Sequence, residues 1–194
     1  MRDYIKSQIK ASILMLSEVL SDEDFLFRLE SAVRSIVAAI KNNNKILLIG
    51  NGGSAADAQH IAAEFVSRLR FDRVGLPAIS LTTDTSILTA IGNDYGFDNL
   101  FARQVQAYAQ PGDILIAYST SGKSPNVIAA LEQAKRSGIV SIGMTGNLGG
   151  PMKDLCDHYL DIPSSDTPKI QEGHAVIGHI ICGLVEESLF ELHS

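Results

Sequence analysis

The sequence has no tryptophan, only two cysteines, no Lys/Arg-rich run and no long apolar stretch. Cys156 and Cys182 are not spaced as CxxC and have apolar flanks, so we expect buried free thiols rather than a disulfide. With a net charge of −6, the chain lacks the basic face of nucleic-acid-binding domains. The apolar stretches are too short to span a membrane, and the N-terminus has no signal-peptide pattern. These absences predict a cytoplasmic protein whose partner is a small molecule or another protein, with no nucleic-acid or membrane partner.

What is present fits an ordinary globular domain. Hydrophobic residues make up 45% and charged residues 20% of the 194 positions. No repeat, linker or low-complexity stretch divides the chain, so we predict one domain over residues 1–194. Its first part, 1–42, has two apolar stripes at helical spacing (4–20 and 25–40), with Ser21 as the predicted N-cap of the second helix. We expect a helical hairpin there, an arrangement that often forms an oligomer interface.

The second part, residues 45–194, alternates short β-branched runs with helical patterns. The predicted strands are 45–50, 78–81, 114–119, 139–145 and 158–163. The predicted helices are 54–70, 85–92, 97–109, 124–137, 150–156 and 168–192. Strands buried on both faces with helices between them predict a parallel, doubly wound sheet. Ligands of such sheets bind at the carboxyl ends of the strands.

A Gly-rich loop follows the first predicted strand, with GNGGSA at residues 50–55. It fits the G-x-G-x-x-A pattern of dinucleotide-binding loops, in which bare amides at a helix N-terminus attract anions. The acid that such a site needs should close the second strand, but the nearest candidate, Asp72, lies in a predicted loop before it. The loop therefore predicts an anion site more strongly than a dinucleotide site.

A second loop, STSGKSP at residues 119–125, follows the third predicted strand. Its tail imitates a Walker A motif, but Ala117 stands where that motif requires glycine. We interpret Ser124 as an N-cap and Pro125 as the first helical residue, so that hydroxyls and free amides together form a cradle for a phosphate monoester. The alternative is a Ser-rich capping loop without a ligand.

Candidate chemical groups lie on two predicted helices. His60 and Glu64 are four residues apart, so they share a helix face and are able to share a metal or a substrate. Their setting is rich in alanine, which favours a raised carboxyl pKa, as a general base needs. His179 lies on the apolar last helix, where a lone histidine is more often a core residue. Asn93 and Asp94 fall in a predicted turn, where plain turn chemistry is the alternative to sugar binding.

Together these segments resemble the phosphoheptose isomerases of the sugar isomerase (SIS) family. The similarity covers essentially the whole chain and is carried by GNGGSAADAQH at 50–60, TAIGND at 89–94, STSGKS at 119–124 and IQEGH at 170–174. It implies a flavodoxin-like αβα sandwich with a five-stranded parallel sheet. It also implies a homotetramer with helical termini packed between the subunits.

The resemblance also assigns roles. It implies an aldose–ketose isomerase that converts sedoheptulose 7-phosphate to D-glycero-D-manno-heptose 7-phosphate through an enediol, the first step towards nucleotide-activated heptose for lipopolysaccharide or another glycan. Glu64 and His179 would be catalytic, and one zinc ion per subunit would be held by His60, Glu64, Gln171 and His179. The implied substrate-binding residues are Asn51, Gly52, Gly53, Glu64, Asn93, Asp94, Ser119, Thr120, Ser121, Ser124 and Gln171.

Two other functions are weighed against the enzyme. A related branch of the family is non-catalytic and binds the bacterial replication initiator as a tetramer, but it lacks residues matching Glu64 and His179. A sugar-phosphate sensor would have little use for an acid–base pair. One geometric problem remains, because Gln171 and His179 would be ~12 Å apart along one helix. Either that helix begins after Gln171, or residues around one metal come from more than one subunit, which we favour.

Overall fold

Five parallel strands form the centre of the computed structural model, which describes residues 1–190 of the chain. The strands are β1 (Ile46–Ile49), β2 (Ala78–Ser80), β3 (Ile114–Tyr118), β4 (Val140–Gly146) and β5 (His158–Ile162). They lie in the order β2-β1-β3-β4-β5, and β1 pairs with β3 from Ile46 opposite Ile114 to Ile49 opposite Ala117. The predicted parallel, doubly wound sheet is confirmed.

Helices cover both faces of this sheet. The helices are α1 (Arg2–Ser21), α2 (Glu23–Lys41), α3 (Gly53–Val66), α4 (Thr85–Asp94), α5 (Leu100–Tyr108), α6 (Pro125–Ser137), α7 (Met152–Leu155) and α8 (Thr167–Leu189). Successive residues of a strand point to opposite faces, so Ile46 and Leu48 of β1 join a core with α1, α2, α3 and α8. Leu47 and Ile49 join a second core with α4, α5 and α6. The result is the expected αβα sandwich.

Several predicted boundaries change. The N-cap of α2 is Asp22 rather than Ser21, because the Asp22 carboxylate accepts a hydrogen bond from the Phe25 amide at 2.9 Å. Helix α3 ends at Val66 instead of residue 70. At this end the Arg73 guanidinium donates hydrogen bonds to the carbonyl oxygens of Phe65 and Ser67. The helix predicted over 97–109 is a 3₁₀ turn (Phe97–Asn99) followed by α5. For the last helix, the predicted residues 191–192 lie outside the described part of the chain.

Only Asp22 separates α1 from α2, so the two N-terminal helices are consecutive, as predicted. Within this single chain, α1 buries only Met15 and Val19. Much of its predicted apolar stripe is instead exposed: Ile5, Ile9, Ile13 and Leu20. In residues 1–190, no helix combines the length and the apolar character that crossing a membrane would take.

Candidate active site

The strand order places a crevice at the carboxyl ends of β1 and β3. The chain runs outward from these neighbouring strands in opposite directions, which makes this edge the topological switch point where open α/β sheets bind ligands. The Gly-rich loop leaves β1 here, and the hydroxyl loop leaves β3. The two loops that the sequence marked as anion sites therefore emerge side by side.

The Gly-rich loop turns directly into α3. Gly52 caps this helix with φ +56°, a conformation that favours glycine. A Cβ on Gly50 would lie 2.5 Å from the Ser54 carbonyl oxygen, so the loop closes too tightly for a side chain there. A Cβ on Gly53 would overlap the Gln171 amide, which therefore lies against the start of α3. The Ser54 and Ala55 amides already bond to carbonyls of the loop, so within residues 1–190 the Gly52 and Gly53 amides are the ones left for an anion at this helix N-terminus.

The hydroxyl loop has the capping residue that the sequence predicts, but a different hydrogen bond. Ser124 is the N-cap of α6 and Pro125 is the first helical residue. The Ser124 hydroxyl bonds to the Ser119 hydroxyl at 3.0 Å and caps no backbone amide. Ser119 is buried while Ser121 is exposed, and Thr120 lies between them at intermediate burial. Pro125 has no N–H, and the Val127 amide bonds to the Ser124 carbonyl at 3.0 Å, so this loop offers an anion its hydroxyls rather than free amides of the first helical turn.

An amide pair that the sequence analysis missed joins the two loops. Asn51 donates to the Asn126 carbonyl oxygen at 2.8 Å, and Asn126 donates to that of Asn51 at 2.9 Å. Asn126 is 1% exposed although it lies in the first turn of α6. One feature of the sequence could have pointed to this pair. Asn126 directly precedes Val127, an apolar residue on the buried side of the predicted helix.

Helices α3 and α8 run parallel, and this packing brings three candidate groups together. A Cβ on Gly178 would lie 2.7 Å from Ile61 Cδ1, so glycine allows the two helices to approach closely. His60 Nε2 then lies 2.8 Å from His179 Nε2 and 3.7 Å from Glu64 Oε1. One ligand atom from each residue falls within 4.8 Å of the others. We call His60, Glu64 and His179 the trio.

The trio has the donor set of a metal site. The Nε2 atoms of His60 and His179 are so close that their lone pairs would repel each other. Either one Nε2 carries a proton and donates it to the other, or both lone pairs face one cation. Two imidazoles and a carboxylate suit zinc, which takes nitrogen and oxygen ligands at ~2 Å. His60 is half exposed and Glu64 is one-fifth exposed, so a small molecule has access to them.

Three further predicted site residues, Gln171, Asn93 and Asp94, lie outside the trio. Helix α8 begins at Thr167, so it includes Gln171, and the alternative of a later start is excluded. Asn93 and Asp94 form the last turn of α4 rather than a turn after it, and the Asn93 amide donates to Asp94 at 2.8 Å. Within residues 1–190, no hydrogen bond connects these two side chains to either loop.

Two titratable groups with shifted pKa values lie on the same two helices as the trio. Burial raises the pKa of the Asp57 carboxyl, one turn before His60, and the charge of His60 partly opposes this. His174 is fully buried on α8, and burial lowers its pKa to about 4 despite a hydrogen bond to the Thr145 carbonyl. His174 is therefore neutral at pH 7, and its Nε2–H donates to that carbonyl at 3.1 Å.

Comparison with known proteins shows the family and the fold of the chain. The SIS domain family matches residues 9–146. The chain is 59% identical over 187 residues to "Phosphoheptose isomerase" of Burkholderia pseudomallei, covering 96% of this chain and 95% of that protein. It is 58% identical to the protein of that name from Aneurinibacillus thermoaerophilus, covering 98% and 96%. The solved phosphoheptose isomerase GmhA from Neisseria gonorrhoeae superposes with a TM-score of 0.90 at 39% identity, covering 96% and 98%.

The fold and the match to the family model thus define a SIS-domain protein. The chain belongs to the phosphoheptose isomerase family, and it is a sugar-phosphate isomerase.

Proposed function

We propose that the enzyme converts sedoheptulose 7-phosphate to D-glycero-D-manno-heptose 7-phosphate, the first step towards nucleotide-activated heptose. The observation that carries this proposal is the trio: a carboxylate and an imidazole on α3, the helix that starts at the Gly-rich loop, meet a second imidazole from α8. A sugar phosphate needs one site for its phosphate and another for its carbonyl end. The relatives named phosphoheptose isomerase support a seven-carbon substrate.

The phosphate end is proposed to bind between the N-termini of α3 and α6. The Gly52 and Gly53 amides and the positive ends of two helix dipoles would face the phosphate there. The hydroxyl pair of Ser119 and Ser124 supplies further donors. The proposed phosphate-binding residues are Asn51, Gly52, Gly53, Ser119, Thr120, Ser121 and Ser124, while Asn93, Asp94 and Gln171 are proposed to contact the sugar.

The reacting end is proposed to lie at the trio. Ketose-to-aldose conversion removes a proton from C1 and returns one to C2, while a hydroxyl proton moves from O1 to O2. Glu64 is the proposed base for the carbon proton, and His179 is the proposed acid and base for the oxygens. The trio is proposed to hold one zinc ion per subunit, with Gln171 as the fourth ligand that the family resemblance implies. When bound, zinc would polarise the carbonyl and stabilise negative charge on oxygen.

A homotetramer with shared sites is proposed from the apolar surface of the chain. The exposed stripe of α1 continues into a groove of about 450 Å³ between α1, α2 and α8, lined by Leu16, Leu20, Leu26, Val176 and Ile180 among others. Val176 and Ile180 flank His179 on α8, so a second copy seated on this surface would lie beside the trio. The cytoplasmic location stays a prediction from the sequence.

The test is a direct assay. Purified protein is incubated with sedoheptulose 7-phosphate, and the aldose product is followed by NMR. Glu64→Gln keeps the size of the side chain but removes the base, so turnover should fall by at least ~10²-fold. Glu132→Gln, on the exposed side of α6, is the matched control and should keep full turnover. Near-normal turnover of the Glu64 variant, or equal turnover of free sedoheptulose, would contradict the proposal.

A further inference from the structure

The Asn51–Asn126 pair connects two segments that are 75 residues apart in sequence. Asn51 follows β1 in the Gly-rich loop, and Asn126 lies in the first turn of α6, after the hydroxyl loop. The last paired residues of β1 and β3 are Ile49 and Ala117. The amide pair therefore lies at the bottom of the crevice, just beyond these residues. It is thus the side-chain bridge between the two proposed phosphate-binding loops.

The hydrogen bonds of the pair fix the orientation of the Asn51 amide. An asparagine side chain has two N–H donors and one carbonyl oxygen with two lone pairs. Each side chain uses one donor and one lone pair on the other, at 2.8 and 2.9 Å. A flip of Asn51 alone would set oxygen against oxygen and nitrogen against nitrogen, so the flipped amide is strongly disfavoured. Asn51 keeps one N–H and one lone pair for a ligand.

The burial of the two residues is unequal, which separates their roles. Asn126 is 1% exposed and has no access to a ligand in the crevice. Asn51 has intermediate burial and follows directly on the strand whose carboxyl end opens into the crevice. Any effect of Asn126 on ligand binding must therefore act through Asn51, or through the distance between the two loops.

We propose that Asn126 is a positioning residue for the phosphate end of the substrate. It holds the remaining N–H of Asn51 towards the crevice and keeps the N-termini of α3 and α6 at a fixed separation. The inference rests on the proposed function in one respect, since it takes the ligand of these loops to be a phosphate group. It adds a residue to which no role in the site has been given.

The test compares Asn126→Ala and Asn126→Asp with a matched control at the other end of the same strands. Asn44 precedes β1, and its amide donates to the Asp113 carboxylate, which precedes β3, at 3.3 Å. Asn44→Ala therefore removes an amide link between the same two strands, but far from the crevice. The measurements are the Tm, kcat and KM for sedoheptulose 7-phosphate, and the affinity for inorganic phosphate by calorimetry.

Asn126→Ala should raise KM, and weaken phosphate binding, by about 10-fold or more, because a correctly aimed donor to a charged group is lost. Asn126→Asp keeps the shape and one hydrogen bond but adds a negative charge, so it should raise KM further. In an Asn51→Ala background, adding Asn126→Ala should change KM by less than about 3-fold, since both changes remove the same interaction. Asn44→Ala should lower the Tm without changing KM.

Lower stability of Asn126→Ala with unchanged KM and phosphate affinity would overturn the inference. So would KM effects that multiply in the double variant. If Asn126→Ala does not fold, the isosteric Asn126→Asp decides, and unchanged phosphate affinity in that variant is equally decisive against a positioning role. If the wild-type protein binds inorganic phosphate but does not isomerise the sugar, the proposed function fails alone, and the phosphate titrations still decide for Asn126.

Discussion

Replacement of Gly178 by alanine should reduce activity more than stability. The added Cβ would lie 2.7 Å from Ile61 Cδ1 and 2.9 Å from Ile61 Cγ1. Non-bonded carbon atoms attract only at separations of ~3.5 Å or more. The distance between the new Cβ and Ile61 Cδ1 therefore has to increase by roughly 0.8 Å. Ile61 is 1% exposed and closely packed, so part of that movement must come from a shift of α8 relative to α3.

The expected loss of stability and the expected loss of activity differ in size. Overpacking of a core costs about 1–3 kcal/mol, and the better helix propensity of alanine returns about 1 kcal/mol, so the net loss of stability is about 0–2 kcal/mol. His179 follows Gly178 directly and lies 2.8 Å from His60, so the same shift opens the trio. Misplacement of reacting groups by ~1 Å can lower a rate by ~10²-fold. We expect a loss of kcat/KM of that order with a fall in Tm of only a few degrees.

The assay pairs isomerase kinetics with thermal unfolding. Gly183→Ala is the matched control on the same helix, because its Cβ would meet Arg70 and Leu69 at ordinary distances of 3.6–3.7 Å. That variant should be fully active and equally stable or more stable. Ile61→Val removes the nearest overlapping atom, so it should restore part of the activity lost in Gly178→Ala. Full activity of Gly178→Ala would refute the view that close α3–α8 packing assembles the trio.

The remaining predictions concern subunits and pH. If sites are shared in a tetramer, mixing inactive Ser124→Ala and His179→Gln variants should restore some activity, measured after conditions shown to exchange subunits. No recovery at all, or an active monomer isolated at low concentration, would contradict shared sites. The pKa of His174 is lowered to about 4 in the folded state, so the unfolded chain binds more protons between pH 6.5 and pH 4. Stability should therefore fall as the pH drops through this range, and His174→Gln should flatten the dependence in urea unfolding; an unchanged slope would show that another group is responsible.

The sequence was sufficient wherever the relevant pattern is local. Short, continuous runs of apolar and β-branched residues, buried at every position, made β1 and β3 recognisable. A serine followed by proline predicted the start of α6 at the correct residue. Ser21 was mistaken for an N-cap because Asp22 has the same capping chemistry one position later. A choice between two adjacent capping residues depends on the turn of the backbone, which composition does not contain.

Features formed by long-range contacts could not be predicted in the same way. The Asn51–Asn126 pair exists only because β1 and β3 are neighbours, and a single sequence gives no register between them. The close approach at Gly178 likewise depends on which face of α3 meets α8. The family resemblance indicated candidate residues for the site. The distances between these residues could be obtained only from the packing of α3 against α8.

The packing of α3 against α8 bears on the length of the substrate. Gly53 and His60 are seven residues apart on α3, which is ~10 Å along the helix axis. Gln171 lies beside Gly53, and His179 lies beside His60, so α3 and α8 contact each other at two levels along their axes. The first level is at Gly53 and Gln171, and the second is at His60 and His179. A phosphate at the first level and a reacting carbonyl at the second must be separated by several carbons. Sedoheptulose 7-phosphate meets this condition, because its carbonyl is at C2 and its phosphate is on C7, whereas a triose phosphate is too short. The position of Gln171 at the first level also favours its proposed contact with substrate over its proposed bond to zinc.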